Sequence, residues 1–455
     1  MPRGAALIVG GTGVAAFEIA PHLCNDFEGD EAFAKVGVLS RSVSSETYAG
    51  KLKPGRKIVP VQADLSNRVS IVTSLREAGL TSDIEYVFWF ADGNRPSLLL
   101  DVIGARQFQA TARRWQSVIH WLLAWCPQFI HDRLYASLAT GAGGGSGGST
   151  IAWMDNVLEA LLEVGANIKV VIMGTGGKHY GMHLGPDFMP EYCIPYLEDV
   201  HRAPAPLSYF DQEKYLAERA KRYGFAWDVV RPSFIIGNTS ETKPTTQSLA
   251  LVIAIYAAIM KHQGKPLVFP GPPRNWQAGN QLTSSRKIAH ISGWLATNGS
   301  YAGLINAYAG KSEVSASKSN AAHLANQKPG FNAVSCPAFC WATCWGPLAQ
   351  SLGMKATMPV GPLGTPVLEL LGGLHAARAA WQEIVSEHKL SNTRLDNVFS
   401  ADFFDKSFSM NWDCVFSTQK LSDAGYPESL LLEHADALSV FQEAFADFRA
   451  AGLIP

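Results

Sequence analysis

The chain has 455 residues, 47 % of them hydrophobic, enough to bury one large core or two moderate ones. A formal charge of -1 and a pI near 6.9 provide no basic field for a phosphate backbone, so nucleic acid is excluded as an expected partner. Seven cysteines, an odd number without close pairing, point to free thiols in a reducing, cytoplasmic compartment more than to a disulfide framework.

At the N-terminus, MPRGAALIVGG carries one arginine before a short apolar run that glycines interrupt, which reads as a first strand and not as a targeting segment. Candidate strands are Ala5–Val9, Val36–Leu39, Ile58–Gln62, Tyr86–Phe90, Lys169–Met173 and Trp227–Val230. Between them lie segments such as VSIVTSLREAG and MDNVLEALLEVG, whose apolar residues recur at three- and four-residue spacing. This alternation predicts an α/β fold, a Rossmann-type doubly wound parallel sheet, over residues 1–236. Past it, aromatic-rich helical segments take over, and residues 237–455 are expected to form a smaller, mainly helical, substrate-binding region that completes the fold. Two insertions interrupt the order. One covers about 97–150 and ends in the glycine tract GAGGGSGGST, expected to be a flexible connector; the other, about 303–330, is polar and reads as a surface loop. The longest apolar run, Leu249 to Met260, is shorter than the ~20 residues of a spanning helix, so a buried helix and no membrane span are expected.

The stretch ALIVGGTGVAAFEIA sets Gly10, Gly11, Thr12, Gly13 and Val14 between the first strand and a helix. A pyrophosphate can approach backbone N–H groups at a helix N-terminus only where no Cβ intrudes, so this loop is a candidate dinucleotide cradle. The end of the second strand decides which dinucleotide. An acidic side chain there would take the ribose 2′-hydroxyl of NAD, whereas Ser40 and Arg41 offer a hydroxyl and a guanidinium suited to the 2′-phosphate of NADPH. Asp64 and Leu65, after the third strand, are candidates to contact adenine, although Asp64 could equally cap the next helix.

A short-chain nicotinamide reductase usually carries a tyrosine and a lysine four residues apart on one helix, and no such pair occurs here. Two other residues take their place in this reading. Lys178 follows VVIMGTGG at the carboxyl end of a central strand, where open α/β sheets bind their ligands, and Tyr209 starts a helix in LSYFDQEK after a proline-rich approach. At these residues the chain resembles the progesterone 5β-reductase and iridoid synthase-like family of the extended short-chain dehydrogenases. Its T-G-x-K-H-Y motif is matched by Thr175, Gly176, Lys178, His179 and Tyr180, and its N-F-Y-Y-x-L-E-D motif loosely by LSYFDQEK, with Leu207 and Phe210 departing from it. WDVVRPSFIIGNTS, YAAIMKHQGKPLVFPG and FRAAGLIP resemble further family segments in order.

The resemblance implies an NADPH-dependent reduction of an enone or enal, with hydride added to the β-carbon of a small apolar, terpenoid- or steroid-like substrate or other secondary metabolite. It makes Tyr209 the phenol that steadies the developing enolate, and Lys178 the holder of the nicotinamide ribose. Two alternatives stay open: a carbonyl reductase using the same two residues, and a non-catalytic NADP(H)-binding regulator. Phe210, Tyr256, Trp276 and Trp294 are candidates to line an apolar substrate pocket, although scattered aromatics are more often core. Cys336, Cys340 and Cys344 stand four apart as if on one helical face, and His179 and His183 also stand four apart. The cysteines lack a recognised metal spacing, and although histidines four apart can bind zinc on a helix, the glycines around this pair argue for a loop, so no metal is expected. A second copy of the chain, as a homodimer, is the candidate protein partner.

Overall fold

The structure, a computed structural model, describes residues 3–48, 50–91, 147–183, 194–203, 207–239, 244–298, 329–391 and 394–455. Most of both expected insertions lies outside these residues. The tract expected to be a connector is helical from Gly147, where α3 begins.

Six strands match the sequence reading to within two residues at each end: β1 (Ala5–Val9), β2 (Val36–Ser40), β3 (Val59–Gln62), β4 (Ile84–Trp89), β5 (Val170–Gly174) and β6 (Ala226–Pro232). Three short strands follow, β7 (Phe234–Ile236), β8 (Leu267–Val268) and β9 (Leu282–Ser284). The next strand, β10 (Phe331–Ala333), joins the first six in one parallel, seven-stranded sheet ordered β10-β6-β5-β4-β1-β2-β3. The chain leaves β1 outward to β2 and β3, then crosses back to β4 on the other side of β1. That reversal opens the crevice at the carboxyl ends in which sheets of this kind bind ligands.

Side chains alternate across each strand, so one sheet buries two cores. Ala6, Ile8, Val36, Val38, Phe88 and Ile172 face α1 (Ile19–Asn25) and a later helix, Ser285–Thr297. Leu7, Val9, Leu39, Val87, Val171 and Met173 face α2 (Arg68–Glu77), α3 (Gly147–Glu163) and α4 (Ser208–Tyr223). With both faces covered, the strands are apolar almost throughout, as in AALIV and VVIMG. A third core, in the helical half, surrounds α5 (Leu249–His262), the long apolar run of the sequence, whose residues Leu249 to Ala257 are all buried. Among the described residues, no helix is long and apolar enough to cross a membrane.

Candidate active site

At the exit of β1 the backbone turns through Gly10, whose φ of +82° is left-handed and whose added Cβ would come 2.8 Å from the Ala91 nitrogen. Gly11 is enclosed as well, since a Cβ there would sit 2.8 Å from Val38 Cγ1. Tyr48 fastens it: the buried hydroxyl donates to the Gly11 carbonyl at 2.8 Å, and the ring stacks on Phe17 at 4.7 Å. Gly13 differs from both. It is exposed, and a Cβ there would meet only the Gly10 carbonyl oxygen, at 3.4 Å. Val14 approaches the start of the Ser285–Thr297 helix, its Cγ2 lying 3.4 Å from a Cβ built on Gly237.

The loop is tied to the end of β2 by hydroxyls, Thr12 Oγ1 lying 2.9 Å from Ser40 Oγ, and the adjacent Arg41 side chain is exposed. Asp64 does not cap α2. One of its carboxylate oxygens accepts from the Ser66 amide at 2.9 Å and the Ser66 hydroxyl at 2.8 Å, while Asn67 is the cap and accepts from Ser70 N at 3.1 Å. Leu65 is buried, and its carbonyl accepts from Asn156 Nδ2 at 2.9 Å.

Two strands away, β5 runs through Thr175 and Gly176 into a single 3-10 turn, Gly177–Tyr180. This turn exposes Lys178 and buries His179 and Tyr180. Tyr209 lies in the first turn of α4, a helix whose buried residues Gln212, Leu216 and Ala220 fall four apart and whose end at Gly224 is left-handed, φ +78°. The structure sets Tyr209 beside the end of the strand that leads to Lys178: its hydroxyl is 4.0 Å from a Cβ built on Gly176, two residues before Lys178. The Thr175 hydroxyl, buried at the same edge, makes no hydrogen bond among the described residues. Leu207, the N-cap residue of α4, offers no side-chain acceptor, and the first turn is closed by the backbone bond from Phe210 N to the Leu207 carbonyl at 2.9 Å.

The aromatic candidates are dispersed. Phe210 adjoins the Lys178 turn, its ring edge-to-face with His179 at 5.2 Å and its face 3.7 Å from the Arg202 guanidinium carbon. Tyr256 is fully buried in the helical-half core, donating to the Val268 carbonyl at 2.9 Å, and half-buried Trp276 packs on Phe269 at 4.8 Å. Trp294 packs on Tyr426 at 5.3 Å. Cys336 precedes the helix Trp341–Ser351 and Cys340 is its N-cap residue, so the three cysteines do not share one helical face.

Behind the Lys178 turn lies a buried charged cluster that the sequence reading missed. His179 Nδ1 is 3.2 Å from Glu213 Oε1, and Arg231 Nη2 is 3.5 Å from the same oxygen. Its signal in the sequence was a glutamate one helical turn after Tyr209. Burial holds His179 below its ordinary pKa against the pull of the facing carboxylate. Burial raises the Glu213 pKa, but His179 and Arg231 outweigh it and hold the carboxyl below the ordinary range.

A cavity of about 720 Å³ lies beside the glycine loop, lined in part by Thr12, Ser42, Lys51, His22 and His290. Metal-ligand atoms of His22, Asp26 and His290 come within 4.8 Å of one another there, against about 3.4 Å for ligands sharing one zinc at ~2.1 Å. Both histidines already face a carboxylate, Asp26 at 2.7 Å and Glu433 at 3.0 Å.

A family model described as a PRISE-like Rossmann-fold domain matches residues 150–455. The chain belongs to this family. Similar proteins include an (S)-8-oxocitronellyl enol synthase of Camptotheca acuminata, 28 % identical over 66 % of this chain and 69 % of that one. Another is a 3-oxo-Delta(4,5)-steroid 5-beta-reductase of Arabidopsis thaliana, 28 % identical over 53 % of this chain and 55 % of its own. A short chain dehydrogenase of Penicillium aethiopicum is 26 % identical over 67 % and 74 %. The PRISE-like chain is thus an oxidoreductase of the extended short-chain dehydrogenase type. Its fold is shared with the terminal R domain of the myxalamid biosynthetic pathway, with a TM-score of 0.51, 12 % identity and coverage of 100 % and 92 %. An epimerase of Methanothermobacter thermautotrophicus shares it too, with a TM-score of 0.50, 13 % identity and coverage of 99 % and 94 %.

Proposed function

We propose that this PRISE-like oxidoreductase uses NADPH to reduce an activated carbon–carbon double bond, in an enone or enal of a small apolar, terpenoid- or steroid-like substrate or other secondary metabolite. The observation that carries the reading is the Tyr209 hydroxyl beside Gly176, which sets a phenol at the carboxyl edge of β5 next to the turn that bears Lys178. The names of the relatives, an enol synthase and a steroid 5-beta-reductase, support the substrate class.

The residues present fit the cofactor. Gly10, Gly11, Thr12, Gly13 and Val14 would hold the pyrophosphate, and Ser40 with the exposed Arg41 the 2′-phosphate. Leu65, with Asp64, would adjoin adenine, and Lys178 the nicotinamide ribose. NADPH, when bound, supplies the hydride. Tyr209 keeps its proton on the hydroxyl and directs it at the substrate carbonyl oxygen, where negative charge develops as the β-carbon takes the hydride; the resulting enolate then takes a proton from water at its α-carbon. That hydrogen bond is stronger in the transition state than in the ground state, so it lowers the barrier. The Lys178 ammonium orients the ribose and adds positive potential beside the phenol.

The test is NADPH deuterated at the transferring C4 position, given with cyclohexenone and a steroid enone, and the label located by mass spectrometry and NMR. Deuterium on the β-carbon is expected, with Tyr209→Phe slower by about 10²–10³, the usual effect of losing one oxyanion donor. Label on a carbinol carbon would move the protein to the carbonyl reductases. No transfer to any acceptor, with NADPH bound, would leave a regulator and sink the reading.

A further inference from the structure

When tyrosine and lysine stand four apart on one helix, the helix itself sets their spacing. In this chain Lys178 lies in the turn after β5 and Tyr209 in α4, so no single element fixes the distance between ammonium and phenol. The residue four positions after Tyr209 is Glu213, which shares its face of α4. Its carboxylate reaches the residue next to Lys178, Oε1 lying 3.2 Å from His179 Nδ1, and it also lies 3.5 Å from Arg231 Nη2 on β6.

Arg231 is itself held, and so is Tyr180, the residue after His179. Arg231, with 2 % of its side chain exposed, donates to the Glu198 carbonyl at 3.1 Å and the Pro329 carbonyl at 3.2 Å. The Tyr180 hydroxyl donates to Asn332 Oδ1 at 2.6 Å, and Asn332 Nδ2 donates to the Tyr196 and Ser417 carbonyls at 2.9 and 3.0 Å. From the α4 side, the Phe210 ring meets His179 edge-on. Holding the Glu213 carboxylate at 18 % exposure costs free energy that an apolar side chain would not, which argues for a task beyond packing.

We propose that Glu213 is the positioning residue of this site: its carboxylate couples α4 to the Lys178 turn through His179 and to β6 through Arg231, and so sets where the Tyr209 hydroxyl stands relative to Lys178. The assignment rests on the reading of Lys178 and Tyr209 as the reductase pair. It touches no reacting atom. A misplacement on the order of 1 Å at a reacting centre costs about 10² in rate, which bounds the effect expected.

The experiment compares Glu213→Ala and Glu213→Gln with Glu198→Gln, a buried carboxylate of the same cluster that accepts from the Asn332 amide at 3.0 Å. Single-turnover transfer from NADPH to cyclohexenone should fall roughly 10- to 100-fold in Glu213→Ala, with KM for NADPH held within about twofold. Glu213→Gln, which keeps the length and one acceptor, should recover part of that loss. A wild-type rate in Glu213→Ala overturns the proposal, and so does an equal loss in Glu198→Gln, which would mark a general effect of disturbing the cluster. If the wild-type chain transfers no hydride at all, the reductase reading fails, and the positioning role is then read without turnover. With Tyr209→3-fluorotyrosine in the otherwise native chain, the fluorine NMR line should be single and narrow. Adding Glu213→Ala should broaden or double it, and an unchanged line overturns the assignment.

Discussion

Replacing Gly10 and Gly13 by alanine, one at a time, separates the fold of the glycine loop from its proposed task. At Gly10, alanine would be held in the left-handed region, which costs about 1–2 kcal/mol for a residue with a Cβ. Its methyl would also lie 2.8 Å from the Ala91 nitrogen and 2.9 Å from Ala91 Cα and the Phe90 carbonyl carbon. All three atoms are backbone and cannot rotate aside, so an overpacking cost of about 1–3 kcal/mol adds to the first. The sum, about 2–5 kcal/mol, is a large part of the roughly 5–15 kcal/mol that holds a folded protein together. Gly13 lacks the left-handed φ and would meet only one oxygen at 3.4 Å, so Gly13→Ala should stay within about 0.5 kcal/mol of wild type. Urea unfolding followed by tryptophan fluorescence measures both. If the exposed face at Gly13 is where phosphates approach, its added methyl should weaken NADPH binding tenfold or more by fluorescence titration, on the order of 1.4 kcal/mol. A Gly10→Ala chain as stable as wild type would refute the packing account. Undiminished NADPH affinity in Gly13→Ala would refute the cradle.

Arg41→Ala should weaken NADPH binding roughly 10- to 150-fold, since a hydrogen bond to a charged group contributes about 1.5–3 kcal/mol, and leave NADH affinity unchanged. Equal losses for both dinucleotides would remove the 2′-phosphate assignment. Leu207→Asn supplies the missing side-chain cap of α4 and should stabilise the protein by about 1 kcal/mol in urea unfolding; no gain would show that the helix start is satisfied otherwise. Acid should destabilise the fold. Burial holds the pKa of His22 and of His179 below the ordinary value, so the unfolded chain takes up protons first, and stability complete above pH 6.5 is lost as pH falls through about 6.5. The lowered carboxyls of Glu213 and Glu433 extend that loss to lower pH. Melting curves at pH 7.5, 6.5 and 5.5 should shift down in order, and less so in His179→Gln; coincident curves would contradict the sign.

The sheet was legible because strands buried on both faces are mostly apolar, and runs such as AALIV and VVIMG end at glycines. β10 was not, since three residues, Phe331–Ala333, carry too little pattern to stand out, and only pairing with β6 makes them a strand. Glycine disfavours helix, so the start of α3 at Gly147 ran against local propensity. Lys178 and Tyr209 were singled out from motif and position, but the approach of the phenol to Gly176 is a tertiary fact. Tyr256 shows the converse limit: an aromatic in an apolar run reads alike whether it faces a pocket or, as here, donates to a backbone carbonyl inside a core.

The outer strand of the sheet has a consequence for how copies of the chain meet. Ala63 N donates inward to Ser40, and because alternate residues point the same way, Pro60 faces outward, where it has no N–H to offer. The opposite edge, β10, is only three residues long. A molecule with a formal charge of -1 near neutral pH has little net repulsion to keep its copies apart. Among the described residues, a proline on one rim and a truncated strand on the other therefore blunt the sheet as a template for strand-by-strand aggregation.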